Sequence, residues 1–236
     1  WDWWAYLDIP VDLVIAYLFK IGALFEDALG EPAQAAHAYR RVLSLDARHL
    51  GAIHALQRAT ERAGRWLELV EALEIEAEKT KDATQIVALL HRAGEVLDDT
   101  VADRDAALIR FRKVLAIDPK YVPALTSLGR IYYRTGRWED LLDMYRRELE
   151  VTPRGSGAVS LLLKMGELCE ERIGRDDEAL AHYKRAVEIE PASHPALRAY
   201  ARKLRERGEW AQLAKVLEAE LGGLGDPSRR TLAAYR

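Results

Sequence analysis

A period of 72 residues is the feature that most constrains what this chain can fold into. Four sets of residues mark the period, and the three members of each set are spaced by 72: Gly22, Gly94 and Gly166; Tyr39, Phe111 and Tyr183; Gly64, Gly136 and Gly208; Trp66, Trp138 and Trp210. No insertion or deletion separates the three copies between these markers. A fixed period of this length is typical of repeat proteins, in which every copy builds the same supersecondary unit.

Each 72-residue copy divides into two shorter units with helical patterning. Proline recurs at intervals of 34 and 38 residues, at Pro119, Pro153 and Pro191. Within one short unit, Leu125, Leu128 and Tyr132 have the spacing of one face of an amphipathic helix. The sequence therefore predicts a helix, a short turn and a second helix, repeated six times.

Glycine and proline predict where these helices end. Gly136 lies between two predicted helices, where glycine can adopt the left-handed conformation that ends a helix. Pro119 and Pro153 end the second helix of their units because proline cannot continue a helix. Three units carry one extra residue in the internal turn, at Gly30-Glu31-Pro32, Ala102-Asp103-Arg104 and Gly174-Arg175-Asp176. We expect these insertions to lie in loops and to leave the core unchanged.

These residues together resemble the tetratricopeptide repeat, a 34-residue helical hairpin. The match runs through Leu125-x2-Leu128-Gly129-x2-Tyr132, then Leu141-x3-Tyr145, then Pro153. The pattern recurs around Gly22, Gly94 and Gly166, and two weaker copies have Gln57 and Ala201 in place of the glycine. Three alternate copies have glutamate where the family prefers a small residue, at Glu76, Glu148 and Glu220. The resemblance covers residues 13–225.

The resemblance implies an all-α fold, an α-solenoid of antiparallel helix pairs in a right-handed superhelix with 12 to 14 helices. A two-helix unit cannot bury its apolar face alone, so each unit stacks on its neighbours. We expect residues 1–236 to form one such solenoid, with modules at 11–82, 83–154 and 155–226 and partial repeats at 1–10 and 227–236. Because both ends fall within a repeat, we also expect the chain to be a piece of a longer array.

Composition and charge argue against several classes of protein. The 35 Lys and Arg residues against 38 Asp and Glu give a net charge of -3, which leaves no overall basic field for a nucleic acid. The longest apolar run, at 13–19, is far shorter than the roughly 20 residues of a membrane span. The single cysteine, Cys169, suits a reducing compartment. We expect no nucleic-acid partner, no membrane span and a cytoplasmic location.

Several residues of the repeat are expected to be structural. The glycines that the family uses for close helix contact are Gly22, Gly94, Gly129 and Gly166. Trp66, Trp138 and Trp210 begin second helices, where the family usually has a packing aromatic, although a cation-binding cage is the alternative. Cys169 takes the place of Phe25 and Leu97 in the other copies, which predicts a small core residue and not a nucleophile.

In proteins that resemble this one, the first helix of each pair lines the concave surface. The side chains expected to point inward are Ala23, Glu26 and Asp27; Glu95, Asp98 and Asp99; Glu167, Glu170 and Glu171 in the units with the longer turn. In the alternate units they are His54, Arg58 and Arg62; Thr126, Arg130, Tyr133 and Arg134; Arg198, Arg202 and Arg205. Acidic and basic stripes therefore alternate. The candidate partner-binding residues are His54, Arg58, His91, Glu95, Arg130, Tyr133, Arg134, Glu167 and Arg202.

Two interpretations of these charges stay open. In the first, the surface is a groove for a peptide of mixed charge, in which arginine holds carboxylates at two points and Tyr133 is an aromatic anchor. In the second, neighbouring helices pair the charges with one another as solvated salt bridges.

The leading hypothesis for function is a non-catalytic interaction scaffold that binds a peptide or protein partner on the concave surface. The alternative is a regulatory or substrate-recruiting region of a larger multidomain enzyme or signalling protein. The chaperone-tail clamp of the family resembles a site that depends on Asn and Lys, and this chain has no Asn. RNA binding needs a continuous basic face, which the alternating stripes disfavour. Self-association through exposed end repeats stays open.

No catalytic residue, cofactor or metal site is expected. The six histidines form no ligand motif, and the acidic clusters at 98–99 and 176–178 lack the spacing and glycine of a calcium loop. The segment Trp1-Asp2-Trp3-Trp4-Ala5-Tyr6 is unusually aromatic. It either docks to a partner or a membrane interface, or covers the flank of the first unit.

Overall fold

The computed structural model describes residues 9–223 of the chain. The expectations for the aromatic segment at 1–6 and for the partial repeat at 227–236 lie outside the described residues. Twelve α-helices and three short π-helical segments account for the regular structure of the described part. The all-α fold of antiparallel helix pairs is confirmed for the described residues.

The helices form six consecutive pairs. The first helices are α1 (Val11–Ala23), α3 (Leu50–Arg62), α5 (Ala83–Glu95), α7 (Val122–Arg134), α9 (Ser156–Leu168) and α11 (His194–Glu206). The second helices are α2 (Pro32–Leu45), α4 (Trp66–Lys79), α6 (Arg104–Ile117), α8 (Trp138–Val151), α10 (Asp176–Ile189) and α12 (Trp210–Gly223). The starts of α4, α8 and α12 are spaced by 72 residues, so the sequence period is also the period of the helices.

The helix ends follow the glycines and prolines. Gly64, Gly136 and Gly208 follow α3, α7 and α11 and have φ angles of 67°, 69° and 70°. These values lie in the left-handed region that favours glycine, so the predicted glycine stops are confirmed. Three second helices, α6, α8 and α10, end two residues before a proline, at Pro119, Pro153 and Pro191.

The residues of the longer internal turns lie outside the helices, where they were expected: Gly30-Glu31, Ala102-Asp103 and Gly174-Arg175. Three π-helical segments, which we name π1 (Leu24–Ala28), π2 (Val96–Val101) and π3 (Cys169–Ile173), directly continue α1, α5 and α9 before these turns. In π1 the amide of Leu29 donates to the carbonyl of Leu24 at 3.1 Å, an i to i+5 bond. A π-turn widens the helix, and this widening was not predicted from the sequence.

The chain divides into two compact units, residues 1–127 and 128–236. The core of the first unit contains many alanines beside larger side chains: Ala35, Ala36, Tyr39, Ala55, Leu56, Ala59 and Ala72. In the second unit the most buried large side chains include Leu141, Leu142, Leu162 and Tyr183. Each core lies between the first and second helices of successive pairs.

The glycines and aromatics of the 72-residue period are contact partners. A β-carbon at Gly22 would lie 2.5 Å from the Tyr39 ring, and one at Gly94 would lie 2.6 Å from the Phe111 ring. Such distances are too short for any side chain, so each glycine lets an aromatic ring lie directly on its helix. Gly129 differs, because a β-carbon there would have only an ordinary contact at 3.5 Å.

The tryptophans of the period differ in burial. Trp138 is half-buried, with Tyr133 packed edge-on at 5.7 Å and the guanidinium of Arg172 at 5.3 Å from its ring. Trp210, on the last described helix, is 64% exposed, and its packing role stays a prediction. Among the described residues, no side chain covers Trp210 as Arg172 covers Trp138.

None of the helices in the described part of the chain has both the length and the apolar character needed to cross a membrane.

Candidate functional site

In the first unit, the predicted charges of the first helices meet at Glu26, which lies in π1. The Tyr39 hydroxyl donates to Oε2 of Glu26 at 3.1 Å. Arg62 donates to Oε1 at 3.4 Å, and Nε of Arg58 lies 3.5 Å from the same oxygen. The Glu26 side chain is 5% exposed, whereas that of Arg58 is 60% exposed. Burial and the neighbouring carboxylate raise the pKa of Tyr39 to about 12.

In the second unit, the same arrangement centres on Glu170, which lies in π3. Arg202 donates to both carboxylate oxygens, at 2.6 and 2.8 Å, and the Tyr183 hydroxyl donates at 3.1 Å. Two-point contact of this kind is the strongest geometry for an arginine and a carboxylate. The hydrogen bond from Arg202 holds the pKa of Glu170 down at about 2. The Glu170 side chain is 16% exposed and that of Arg202 is 49% exposed.

The two clusters are related by the sequence period. Glu170, Tyr183 and Arg202 lie 144 residues after Glu26, Tyr39 and Arg58, which is twice 72. The middle copy has Asp98, which is buried, in the place of the glutamate, and Phe111 in the place of the tyrosine. The shorter acid, Asp98, thus occurs with Phe111, whose ring has no hydroxyl to donate a hydrogen bond. In all three copies a buried or half-buried acid lies on a π-turn. At Glu26 and Glu170 an exposed arginine comes from the next first helix, whereas at Asp98 Arg104 of α6 lies 3.9 Å away.

A second buried carboxylate, Glu76 on α4, was not predicted from the sequence. Gln57 donates to it at 2.6 Å and Gln85 at 2.8 Å, while Nε2 of His54 lies 3.2 Å away. Two departures from the repeat pattern could have revealed this network. Glutamate replaces a small residue at 76, and Gln57 replaces the glycine of the packed helix.

Lys203 on α11 is a buried cation that the sequence pattern did not predict either. Its ammonium lies 2.7 Å from Asp176, 3.2 Å from Glu206 and 3.4 Å from Glu170. Because Lys203 neighbours Arg202, two cations of one helix share the Glu170 carboxylate. The only signal in the sequence was a lysine within an apolar stripe.

Most of the predicted partner-binding residues are exposed. They are His54, Arg58, Glu95, Arg130, Tyr133, Arg134, Glu167 and Arg202. Arg130, Tyr133 and Arg134 share one face of α7 because they are three or four residues apart. Tyr133 is 58% exposed, and its edge-on contact with Trp138 holds the ring.

His91 is buried, so its predicted place on the partner-binding surface is wrong. Its ring packs at 5.4 Å from both Phe111 and Tyr121, and Nδ1 lies 3.6 Å from Glu95. The sequence contained a signal for this outcome. Both residues at the equivalent positions of the other copies, Phe19 and Leu163, are apolar.

Cys169 is a buried core residue, as predicted. Burial raises the pKa of its thiol to about 11. A nucleophilic cysteine needs the opposite shift, since the thiolate is the reactive form. The thiol is therefore not activated in this environment.

Comparison with known proteins identifies the repeat. The family model described as Tetratricopeptide repeat matches residues 122–191. This part of the chain is similar to the tetratricopeptide repeat (TPR) family. The matched segment begins at α7 and ends just after α10, and the helices outside it repeat its pattern at the 72-residue period.

One curated relative and two solved structures resemble parts of this chain. "Protein CTR9 homolog" of Arabidopsis thaliana is 34% identical over 93 residues, which is 39% of this chain but only 8% of that protein. The C-terminal part of a TPR repeat-containing protein from Cytophaga hutchinsonii aligns over 87% of this chain and 78% of its own, with 14% identity and a TM-score of 0.50. YrrB, described as a TPR protein with an unusual peptide-binding site, aligns over 77% of this chain and 89% of its own, with 18% identity and a TM-score of 0.44.

The structural likeness bears on the fold alone. Proteins with the TPR fold are generally protein-interaction scaffolds, and they are typically non-catalytic. TPR proteins bind protein partners.

Proposed function

We propose that this chain is a non-catalytic scaffold whose first helices bind a protein or peptide partner with acidic side chains. One observation carries the proposal. At Glu26 and at Glu170 the carboxylate is mostly shielded from solvent, whereas the side chains of Arg58 and Arg202 beside it are about half or more exposed, so these arginines present a basic group to solvent.

The exposure of the cations is consistent across the two units. Arg58 is 60% exposed over a carboxylate that is 5% exposed, and Arg198 is 78% exposed within 3.9 Å of Glu220. An arginine that already forms a salt bridge with a buried carboxylate has lost part of its side-chain conformational freedom. Less entropy is then lost when the remaining N–H groups bind a second carboxylate.

The first helices also carry an aromatic anchor in the second unit and acidic positions in both units. Tyr133 is exposed and held by Trp138, which suits the rigid aromatic contact that often dominates binding energy. Glu95 and Glu167 are exposed on α5 and α9 and can accept cations of the partner. We therefore infer a partner of mixed charge in which the acidic residues contact the arginines. This surface is the one expected to be concave.

An array of short acidic, basic and neutral peptides tests the proposal. We expect acidic peptides to be retained, and retention to fall as salt is raised because the contacts lie at the surface. The double variant Arg58→Gln with Arg198→Gln should bind the best acidic peptide about tenfold more weakly, a change of about 1.4 kcal/mol. Lys113→Gln with Lys215→Gln removes the same charge from exposed positions of second helices and should bind normally.

Equal retention of acidic and basic peptides would contradict the proposal. So would equal losses in the two double variants, because binding would then depend on net charge and not on the face of the first helices.

We also propose a cytoplasmic location and self-association through the end repeats. The free Cys169 thiol supports the first, and the exposed Trp210 ring on the last described helix supports the second. Sedimentation velocity over a range of concentrations tests the second point. Trp210→Ala should lower the dimer fraction, and an unchanged distribution would exclude a role for this ring.

A further inference from the structure

The third module brings three metal-ligating side chains together. Cys169, the first residue of π3, meets Glu178 and His182 of α10, and one ligand atom of each lies within 4.8 Å of the other two. The linear sequence hides this cluster because the residues are nine and four positions apart and come from two helices. The expectation of no metal site rested on contiguous motifs alone.

We propose that Cys169, Glu178 and His182 bind one divalent transition-metal ion of the zinc type. Thiolate, imidazole and carboxylate are the three ligand types that zinc prefers in proteins. Three protein ligands and one water complete a tetrahedral site. The soft thiolate and the imidazole select against magnesium and calcium, which take oxygen ligands.

His182 has the lone pair that such a site requires. Its Nε2 is buried and makes no hydrogen bond within the described part of the chain. A buried ring nitrogen without a partner costs free energy, and a metal ion removes that cost.

Glu178 can turn to a metal ion without leaving an arginine unpaired. Its carboxylate lies 3.0 Å from Arg146 and 3.5 Å from Arg175. Each arginine has another carboxylate close by, Asp143 at 2.9 Å for Arg146 and Glu139 at 2.7 Å for Arg175. These three carboxylates are matched by three guanidiniums, because Arg185 also acts on His182. The Cys169 thiol would lose its proton on binding the ion, as metal ligation by cysteine requires.

The repeat provides an internal comparison. The positions equivalent to Cys169, Glu178 and His182 are Leu97, Ala106 and Arg110 in the second module and Phe25, Gln34 and Ala38 in the first. The three potential ligands thus occur together in one module of three, at positions where the fold does not require them. Packing alone explains an apolar residue at each of these places better than it explains this trio.

Titration of the purified, reduced protein with Zn²⁺ alone in a calorimeter tests the site. We expect one ion per chain. With Co²⁺ alone, a thiolate-to-cobalt charge-transfer absorption should appear. Cys169→Ala and His182→Ala should each weaken binding by more than about 100-fold, since even the loss of a supporting residue costs 10- to 100-fold.

The control variant is His37→Ala, which removes an exposed histidine of α2 and should leave binding unchanged. Alanine at 182 is the residue that the first module has at the equivalent position, Ala38, so the variant is expected to fold, and circular dichroism checks this. The proposal is overturned if no ion binds at one per chain. It is equally overturned if Cys169→Ala binds as the unaltered chain does, or if cobalt binds without the thiolate absorption.

Discussion

At the scale of single residues, the close contact of a helix glycine with an aromatic ring is the element that the period repeats most strictly. The β-carbon positions of Gly22, Gly94 and Gly166 are all taken by the ring 17 residues later. Gly129 has no such ring against it, and its equivalents are Gln57 and Ala201. Glycine is therefore sterically required at Gly22, Gly94 and Gly166, where a ring packs on the helix, but not at Gly129.

Alanine substitution separates these two kinds of glycine within the second unit. In Gly166→Ala the new methyl group would overlap the Tyr183 ring, and we expect a loss of about 1–3 kcal/mol in the free energy of unfolding. Gly129→Ala is the matched control and should be neutral or stabilising by up to about 1 kcal/mol, because alanine favours helix. Urea denaturation of both variants measures the difference. Equal midpoints for the two would contradict the packing described.

The Glu170 cluster makes stability depend on pH. The folded-state pKa of Glu170 is lowered from 4.5 to about 2, mainly by the hydrogen bond from Arg202. A lowered carboxyl pKa stabilises the fold above the unfolded-state value, and this contribution is lost as pH falls from about 4.5 to about 2. We expect Glu170→Gln to melt below the unaltered chain at pH 6, and the gap to narrow towards pH 2. Melting curves that stay parallel over this range would show that the pair adds no stability.

At the scale of elements, the π-turns were the main structural feature that the sequence did not predict. The amphipathic pattern of a helix looks the same in the sequence whether its last turn is an α-turn or a π-turn. Whether a π-turn forms depends on which side chains contact the buried acid. With Glu26 bonded to Tyr39 and Arg62, the wider turn holds the carboxylate beneath the arginines. Those contacts are set by tertiary structure and leave no local signal.

The Glu76 network gives a prediction at the same scale, since it joins α3, α4 and α5. Glu76→Ala would leave the amides of Gln57 and Gln85 without their acceptor, at a cost of about 1–3 kcal/mol. Glu78→Ala removes an exposed carboxylate of the same helix and should change stability by less than about 0.5 kcal/mol. Thermal denaturation compares the two. A larger effect from Glu78 would mean that the buried network is unimportant.

At the scale of the whole molecule, periodicity predicted the helices well and the surfaces poorly. The period set the number of pairs, and glycine and proline set the helix ends, because these signals are local. Burial was harder to predict. His91 has the polarity of a surface residue but packs against Phe111 and Tyr121, and Trp210 occupies a packing position that nothing covers among the described residues. Both outcomes depend on the neighbouring repeat and not on the residue itself.

The repeat also predicts a simple whole-molecule property. Every described pair consists of two helices of 13 or 14 residues joined by a short turn. Far-ultraviolet circular dichroism should therefore show a predominantly helical chain. A helical content below half would contradict the architecture.

The central claim is that the exposed cations of the first helices form the binding face. Amide hydrogen exchange with and without the acidic peptide that the array retains best tests this claim most directly. We predict slower exchange in α3 and α11, where Arg58 and Arg198 lie, and little change in the second helices α4 and α12. Slowing confined to α4 and α12, or no slowing at saturating peptide, would contradict the account.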